Sequence, residues 1–130
     1  MEVKDLMIDD YVQFYDGRIC QVEDIYHDDV VEIRTKEGCI GNLYNAMCDR
    51  IYPIRINKKI LEKNGFKKSN ESDDHTLTLW LDKTFYIEYL MDNNAILVCT
   101  EQYDYDAYCY YVHELQHVMR LCKIKKEIKL

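Results

Sequence analysis

Residues 11–25 read YVQFYDGRICQVEDI. Apolar and polar residues alternate on both sides of Asp16-Gly17, a dipeptide that is a strong hairpin signal between two strands. Further short strands are predicted at Val30–Thr35, Cys39–Ile40 and Ile51–Ile56, where Pro53 indicates an edge or a bulge. Five short strands joined by tight turns fit a small closed barrel better than an open sheet, so we predict a barrel over residues 1–56.

A short connecting helix is predicted in residues 57–68, from Lys58 to Asn64, with Asn57 as its N-cap and Gly65 as its left-handed end. Residues 69–130 show a different sequence pattern. Three alternating runs separated by turn residues predict a three-stranded antiparallel meander. These runs are Thr76–Leu81, Phe85–Leu90 and Ala95–Thr100. A helix from Tyr108 to Cys122 is expected to pack on one face of the meander, which makes the predicted fold class α+β and mainly β.

Composition places the chain among globular proteins. Its 130 residues are 48% hydrophobic and 12% aromatic, enough for a core in one domain or in two small units. No apolar run approaches the ~20 residues that span a bilayer, and residues 1–10 lack the apolar segment of a secretory signal. We therefore expect a cytoplasmic protein without membrane contact, whose six cysteines are reduced.

Charge is unevenly distributed along the chain. The net charge is −7, and residues 1–50 hold twelve acids and five bases. An acidic total weakens the case for nonspecific nucleic-acid binding, because phosphate contacts need clustered positive charge. Residues 55–68 and 120–129 are nevertheless basic, so nucleic-acid binding through these two segments stays an alternative function.

The predicted C-terminal helix contains HELQH, which matches the HExxH signature of zinc peptidases. In that chemistry His113 and His117 bind zinc and Glu114 acts as the general base. The helix argues against it, because its apolar stripe centres on Leu115 and both imidazoles lie about 160° away, facing water. After His117 the only carboxylate side chain is Glu127. We predict no metal and no other cofactor; a zinc-dependent hydrolase stays an alternative.

Tyrosines are the second distinctive feature. Tyr108 and Tyr111 fall on the predicted apolar stripe of the helix and are assigned to the core. The other tyrosines of interest are expected at the surface, where aromatic side chains favour partner binding. These candidates are Tyr11, Tyr15, Tyr26 and Tyr52 in the barrel, and Tyr103, Tyr105 and Tyr110 before the helix. They predict a protein or peptide partner, held by an aromatic groove beside acidic loops.

Two resemblances extend these predictions. The strand spacing of residues 1–56 resembles that of SH3-like barrels. Three stretches are similar to uncharacterised small proteins of Bacteroides-type bacteria and their prophages or mobile elements: residues 6–12 (LMIDDYV), 53–66 (PIRINKKILEKNGF) and 111–116 (YVHELQ). That family has no assigned activity, so the resemblance implies an accessory protein of a mobile element and no catalytic residue. The leading hypothesis is a non-enzymatic protein-interaction module.

Overall fold

A computed structural model describes residues 1, 3–26, 30–44, 50–69, 76–81, 83, 85–100 and 107–130. The chain divides into two compact units, an N-terminal unit of residues 1–54 and a C-terminal unit of residues 55–130. Each unit is built around an antiparallel sheet, and the second also carries a C-terminal helix, which confirms an α+β fold that is mainly β. Within the described ranges, no helix is both long enough and apolar enough to cross a membrane.

The N-terminal unit is a five-stranded sheet preceded by a 3-10 turn at Val3–Asp5. Its strands are β1 (Tyr11–Phe14), β2 (Ile19–Tyr26), β3 (Val30–Thr35), β4 (Gly38–Tyr44) and β5 (Ile51–Tyr52). They are ordered β4-β3-β2-β1-β5, so the chain meanders through four strands and returns beside the first. Strand β4 begins one residue earlier and ends four residues later than predicted. Over the described residues β4 and β5 remain the two edges of the sheet, and the predicted closed barrel is not confirmed.

The predicted hairpin between β1 and β2 forms as expected. Gly17 has φ of +93°, a left-handed conformation that costs glycine little, and its N–H donates to the Phe14 carbonyl at 2.8 Å. The alternation of β1 sends Val12 and Phe14 into the core. They pack in a buried cluster with residues of the segment before β1 and of β2, β3 and β5: Val3, Leu6, Cys20, Val22, Val31, Ile33 and Ile51. The opposite face of this sheet is the exposed one.

The C-terminal unit contains a second five-stranded sheet and two helices. Its strands are β6 (Lys67–Lys68), β7 (Thr76–Trp80), β8 (Phe85–Leu90), β9 (Ala95–Thr100) and β10 (Ala107–Cys109), ordered β10-β9-β8-β7-β6. The three predicted strands are therefore the centre of a wider sheet. Helix α1 (Lys58–Lys63) is capped as predicted, since the Asn57 side chain accepts a hydrogen bond from the Ile60 N–H at 3.0 Å.

Helix α2 spans Val112–Leu121 and begins four residues later than predicted. Tyr108 belongs to β10, where it pairs with Leu97 of β9, and its side chain is 59% exposed. Its assignment to the helical core was therefore wrong. The cause is non-local, because the backbone of residues 107–109 is held extended by hydrogen bonds to a neighbouring strand.

Candidate functional site

The predicted orientation of His113 is wrong. Its side chain is only 7% exposed, as is that of Gln116, whereas His117 is half-buried. The apolar stripe around Leu115 is buried as predicted, but the buried arc of α2 extends past it and includes polar residues. The helix is thus enclosed around more of its circumference than its apolar residues indicate.

The buried imidazole of His113 makes two ring contacts. Its imidazole stacks on the Tyr111 ring, with centroids 5.9 Å apart and planes inclined by 16°. The His117 ring meets it edge-on at 5.6 Å. On the other side, the Arg55 guanidinium lies 5.5 Å from the Tyr111 centroid and 5.7 Å from that of Tyr110. Arg55 also donates to the backbone carbonyl of Asn93 at 3.2 Å, so this row of cation and rings is anchored at its outer end.

A metal centre of the zinc-peptidase type needs a third ligand beside the two histidines. No group of three or more His, Cys, Asp or Glu residues able to hold an ion occurs in the described part of the chain. His75, an upstream histidine and a conceivable third ligand in the sequence, falls outside the described residues. The geometry that is present is an aromatic packing arrangement, with His113 as a ring in a stack.

Two of the barrel tyrosines, Tyr11 and Tyr52, lie on one surface of the N-terminal sheet, and Tyr15 follows directly after β1. In the register, Gln13 of β1 is flanked by Ile19 of β2 on one side and Tyr52 of β5 on the other. Tyr11 lies two residues before Gln13 and therefore on the same face of the strand. The side chains of Ile19 and Tyr52 are 41% and 52% exposed. We call this surface, with Tyr15 at its end, the tyrosine face.

Tyr15 is the most exposed residue of the tyrosine face, at 62%. Its ring meets Phe14 edge-on with centroids 4.7 Å apart, and the Arg50 guanidinium lies 5.9 Å from its centroid. Nearby, Arg18 forms a 2.7 Å ion pair with Asp16, and this hydrogen-bonded guanidinium lowers the pKa of the Asp16 carboxyl. The end of the face is therefore aromatic, with arginines beside it.

Tyr26 lies apart from the tyrosine face. It is the last residue of β2, five positions beyond Gln21, which corresponds to about 17 Å along a strand. Its hydroxyl donates to the Glu32 carboxylate at 2.8 Å, and this bond raises the pKa of Tyr26 to about 12. Tyr110 is 41% exposed in the other unit, under Arg55. Tyr103 and Tyr105 fall outside the described residues, so the structure brings together Tyr11, Tyr15 and Tyr52 alone among the candidates it describes.

The two basic segments meet in the C-terminal unit. The Asn64 side chain, 3% exposed at the end of α1, donates to the Lys129 carbonyl at 2.8 Å and accepts from the Lys129 N–H at 2.7 Å. One residue on, the amine of Lys126 lies directly over the Cα of Gly65, in the space that a Cβ there would need. The sequence allowed this convergence but did not predict it, since a contact over 65 positions leaves no local signal.

No protein-family model, no curated protein and no solved structure matches the chain. The similarity to Bacteroides-type proteins and the SH3-like arrangement therefore stay predictions. Function has to be argued from the surfaces themselves. Ile19 belongs to the tyrosine face but is not among the candidates predicted from the sequence. The alternation of β2 does indicate its exposure, because Ile19 and Gln21 point away from the core side chains Cys20 and Val22.

Proposed function

We propose that this protein is a non-enzymatic binding module and that the tyrosine face holds a protein or peptide partner. The observation that supports this most strongly is the placement of Ile19 and Tyr52 on either side of Gln13, both more than two-fifths exposed on one side of one sheet, with the exposed Tyr15 directly after β1. Exposed apolar side chains gathered in one place are typical of interaction sites. As the family resemblance implies, the proposed setting is that of an accessory protein of a mobile element.

Tyrosine suits such a surface for a physical reason. Its ring adds a large contact area at the cost of fixing few rotatable bonds, and its hydroxyl still pairs with polar groups. In the tyrosine face the Gln13 side chain donates to the Gly17 carbonyl at 3.1 Å. This hydrogen bond restrains the Gln13 amide, and the strand register places Gln13 between Ile19 and Tyr52.

We also propose that the sheet is the curled sheet of an SH3-like barrel. Support comes from the return of β5 beside β1 and from register shifts in two strand pairs, between Val22 and Asp24 and between Ile33 and Arg34. Bulges of this kind increase local twist and bend a sheet towards closure. SH3-like grooves lined with aromatic rings hold extended, proline-rich peptides.

The charge of the N-terminal unit indicates which kind of peptide it attracts. Residues 1–54 contain twelve acids against five bases, so a positively charged segment is attracted and an acidic one repelled. The proposed ligand is accordingly an extended peptide that combines prolines or other apolar residues with lysines or arginines.

Selection from a random peptide library tests this proposal directly. The full chain serves as bait, beside Tyr15→Ser/Tyr52→Ser as the disabled variant and Tyr26→Ser as the matched control outside the tyrosine face. We expect basic, proline-containing peptides to be enriched by the wild type and by the control. Loss of two interfacial tyrosines should weaken their binding at least about tenfold.

Two results would overturn the assignment. One is the absence of any enriched sequence; the other is equal binding by the wild type and by Tyr15→Ser/Tyr52→Ser. A separate arm with Tyr103→Ser/Tyr105→Ser tests the remaining predicted tyrosines, which act at this site only if that variant also loses binding. Circular dichroism on each variant confirms that the fold is retained.

A further inference from the structure

The C-terminal unit separates its charges. Residues 55–68 contain six bases and one acid, and residues 120–129 contain five bases and one acid. The remainder of the unit holds one base, Lys83, and ten acids, so the unit is neutral in sum and strongly divided in distribution. Because the backbone of Lys129 is bonded to Asn64, the two basic segments form one surface. We call this the basic surface.

The lysines of the basic surface are exposed residues, and the amine of Lys126 lies against Gly65. The nine exposed lysines are Lys58, Lys59, Lys63, Lys67, Lys68, Lys123, Lys125, Lys126 and Lys129. The tail that carries the last four is fixed, since Ile128 is 3% exposed and Asn64 clamps the backbone next to it. The backbone that carries these four lysines is therefore held in place, although their like charges repel.

An open pocket of about 320 Å³ lies within this surface. It is lined by Leu81, Lys123, Ile124, Lys125 and Lys126. Strand β6 runs close by, because Lys67 pairs with Trp80, the residue that precedes Leu81. Three lysines of the tail thus line one concavity, and further lysines lie on β6 and α1.

Lys123 occupies a position that favours glycine. The Ile124 N–H donates to the Met119 carbonyl at 2.8 Å and the Lys123 N–H to the Arg120 carbonyl at 3.0 Å, the pair of bonds that defines a Schellman end to α2. Lys123 has φ of +59° there, a left-handed conformation that strains any residue with a Cβ. A strained lysine at the lip of a pocket is consistent with a role for its amine in binding.

We propose that the basic surface binds the phosphate backbone of a nucleic acid. Lysine ammonium groups are compact charges that pair with phosphate oxygens, and neutralising several phosphates releases counterions from the polymer. The surface is longer than a single phosphate group requires, which favours a chain of phosphates. Arginine is scarce in it, with Arg55 and Arg120 alone among eleven bases, so binding should be insensitive to base sequence.

Fluorescence anisotropy with labelled oligonucleotides tests the proposal on the full chain. Single-stranded and duplex probes are titrated at a series of salt concentrations. With about five phosphate contacts, the logarithm of the binding constant should fall with the logarithm of salt with a slope of about −3.5 for a single strand and −4.5 for a duplex. Probes of unrelated sequence should bind alike.

Charge reversal provides the matched comparison. Lys123→Glu/Lys125→Glu should weaken binding at low salt by about 100-fold, because two phosphate contacts become repulsions. Lys4→Glu/Lys36→Glu changes the net charge equally at exposed lysines of the other unit and should change binding less than about threefold. Lys123→Gly removes one amine while supplying the residue that the helix end favours, so it should bind several-fold more weakly with no loss of melting temperature.

Three outcomes would overturn the inference: binding that does not respond to salt, equal loss in both double variants, or full affinity in Lys123→Gly. Poly-glutamate and vesicles containing phosphatidylserine serve as competing polyanions in the same buffer. If either displaces the oligonucleotide at equal charge concentration, the surface recognises negative charge in general and the nucleic-acid assignment fails.

Discussion

The two units of this protein carry charge in opposite ways. The N-terminal unit holds the entire excess of seven negative charges, spread over most of its length, whereas the C-terminal unit is neutral but keeps eleven of its twelve bases in two segments. Total charge therefore describes the first unit well and the second poorly. The sequence-level argument against nucleic-acid binding rests on the total, and it loses its force once the two basic segments are seen to meet at Asn64 and Lys129.

Strand β1 of the N-terminal unit and helix α2 of the C-terminal unit also differ in which side chains they bury. In strand β1 of the N-terminal unit, Val12 and Phe14 face the core and Gln13 faces outward, although Asp10, just before that strand, is completely buried. In the C-terminal unit, α2 buries His113 and Gln116 as deeply as some of its apolar residues. Four comparisons of variants test this contrast, with expected effects that range from several kcal/mol to a slight change.

Core truncation should affect both units equally and most strongly. Ile33 and Ile87 are each fully buried, one in each sheet, so replacing either by alanine removes apolar contacts and leaves a cavity. We expect Ile33→Ala and Ile87→Ala each to lower the free energy of unfolding by about 2–5 kcal/mol. Ile19→Ala, the same change at an exposed position of the first sheet, should cost less than about 1 kcal/mol.

Urea denaturation followed by circular dichroism measures these differences. If one of the two core variants lost no more than Ile19→Ala, the packing of that unit would be much looser than its burial indicates. A loss in both of similar size would show that the contrast between the units concerns polar groups and leaves the apolar cores alike.

The histidines of α2 give the next largest effect. His113 is buried between two rings, whereas His117 is half-exposed at the end of the row. His113→Ala should therefore lower the free energy of unfolding by about 2 kcal/mol, and His117→Ala by less than about 1 kcal/mol. The same denaturation series distinguishes this from a helix whose histidines both face water, for which the two losses would be equal and small.

Sequence reasoning succeeds and fails in this molecule for identifiable reasons. A strand has only two faces, so alternation identifies Val12, Phe14 and Ile33 as core once the strands are recognised. The faces of a helix merge continuously, and the width of the buried arc is set by whatever surrounds it, which local sequence does not contain. The apolar centre of α2 at Leu115 was therefore predicted correctly and the burial of His113 was not.

The same distinction holds for the candidate surfaces. Exposure of Tyr15 and Tyr52 follows from local patterning, and both are exposed in the structure. Their placement beside Ile19, and the separation of Tyr26 from them, depends on strand register, which pairs residues that are distant in sequence. The local sequence therefore predicts that these tyrosines are exposed, but only the strand register shows which of them lie together.

A smaller effect of opposite sign is expected at the end of α2. Lys123→Gly relieves a left-handed conformation, and we expect the free energy of unfolding to rise by about 0.5–1 kcal/mol. Lys125→Gly is the matched control, because the same amine is removed two residues away where no positive φ occurs, and it should be neutral or slightly destabilising. Thermal melts of both variants make the measurement, and equal shifts would mean that charge, not backbone strain, governs stability at this site.

The smallest effect lies in the acidic unit and concerns the titration of Tyr26. Hydrogen bonding to Glu32, followed by desolvation and nearby carboxylate charge, raises the pKa of the Tyr26 phenol from 10.0 to about 12. A raised folded pKa means that the interaction stabilises the fold fully below the unfolded pKa, and that this contribution disappears as pH rises through the folded value. Because Tyr26 is at the surface, the change in stability should be slight.

Glu32→Gln removes the charged acceptor and should lower the pKa of Tyr26 back towards its ordinary value. The measurement is the ultraviolet absorbance of tyrosinate against pH, with Tyr26→Phe subtracted to isolate one phenol among twelve tyrosines. Arg18→Gln serves as control, since it alters a charge of the same unit without touching Tyr26. An unchanged titration in Glu32→Gln would show that the 2.8 Å bond is not what holds the proton, and the excess negative charge of the unit would then act on Tyr26 only as a diffuse field.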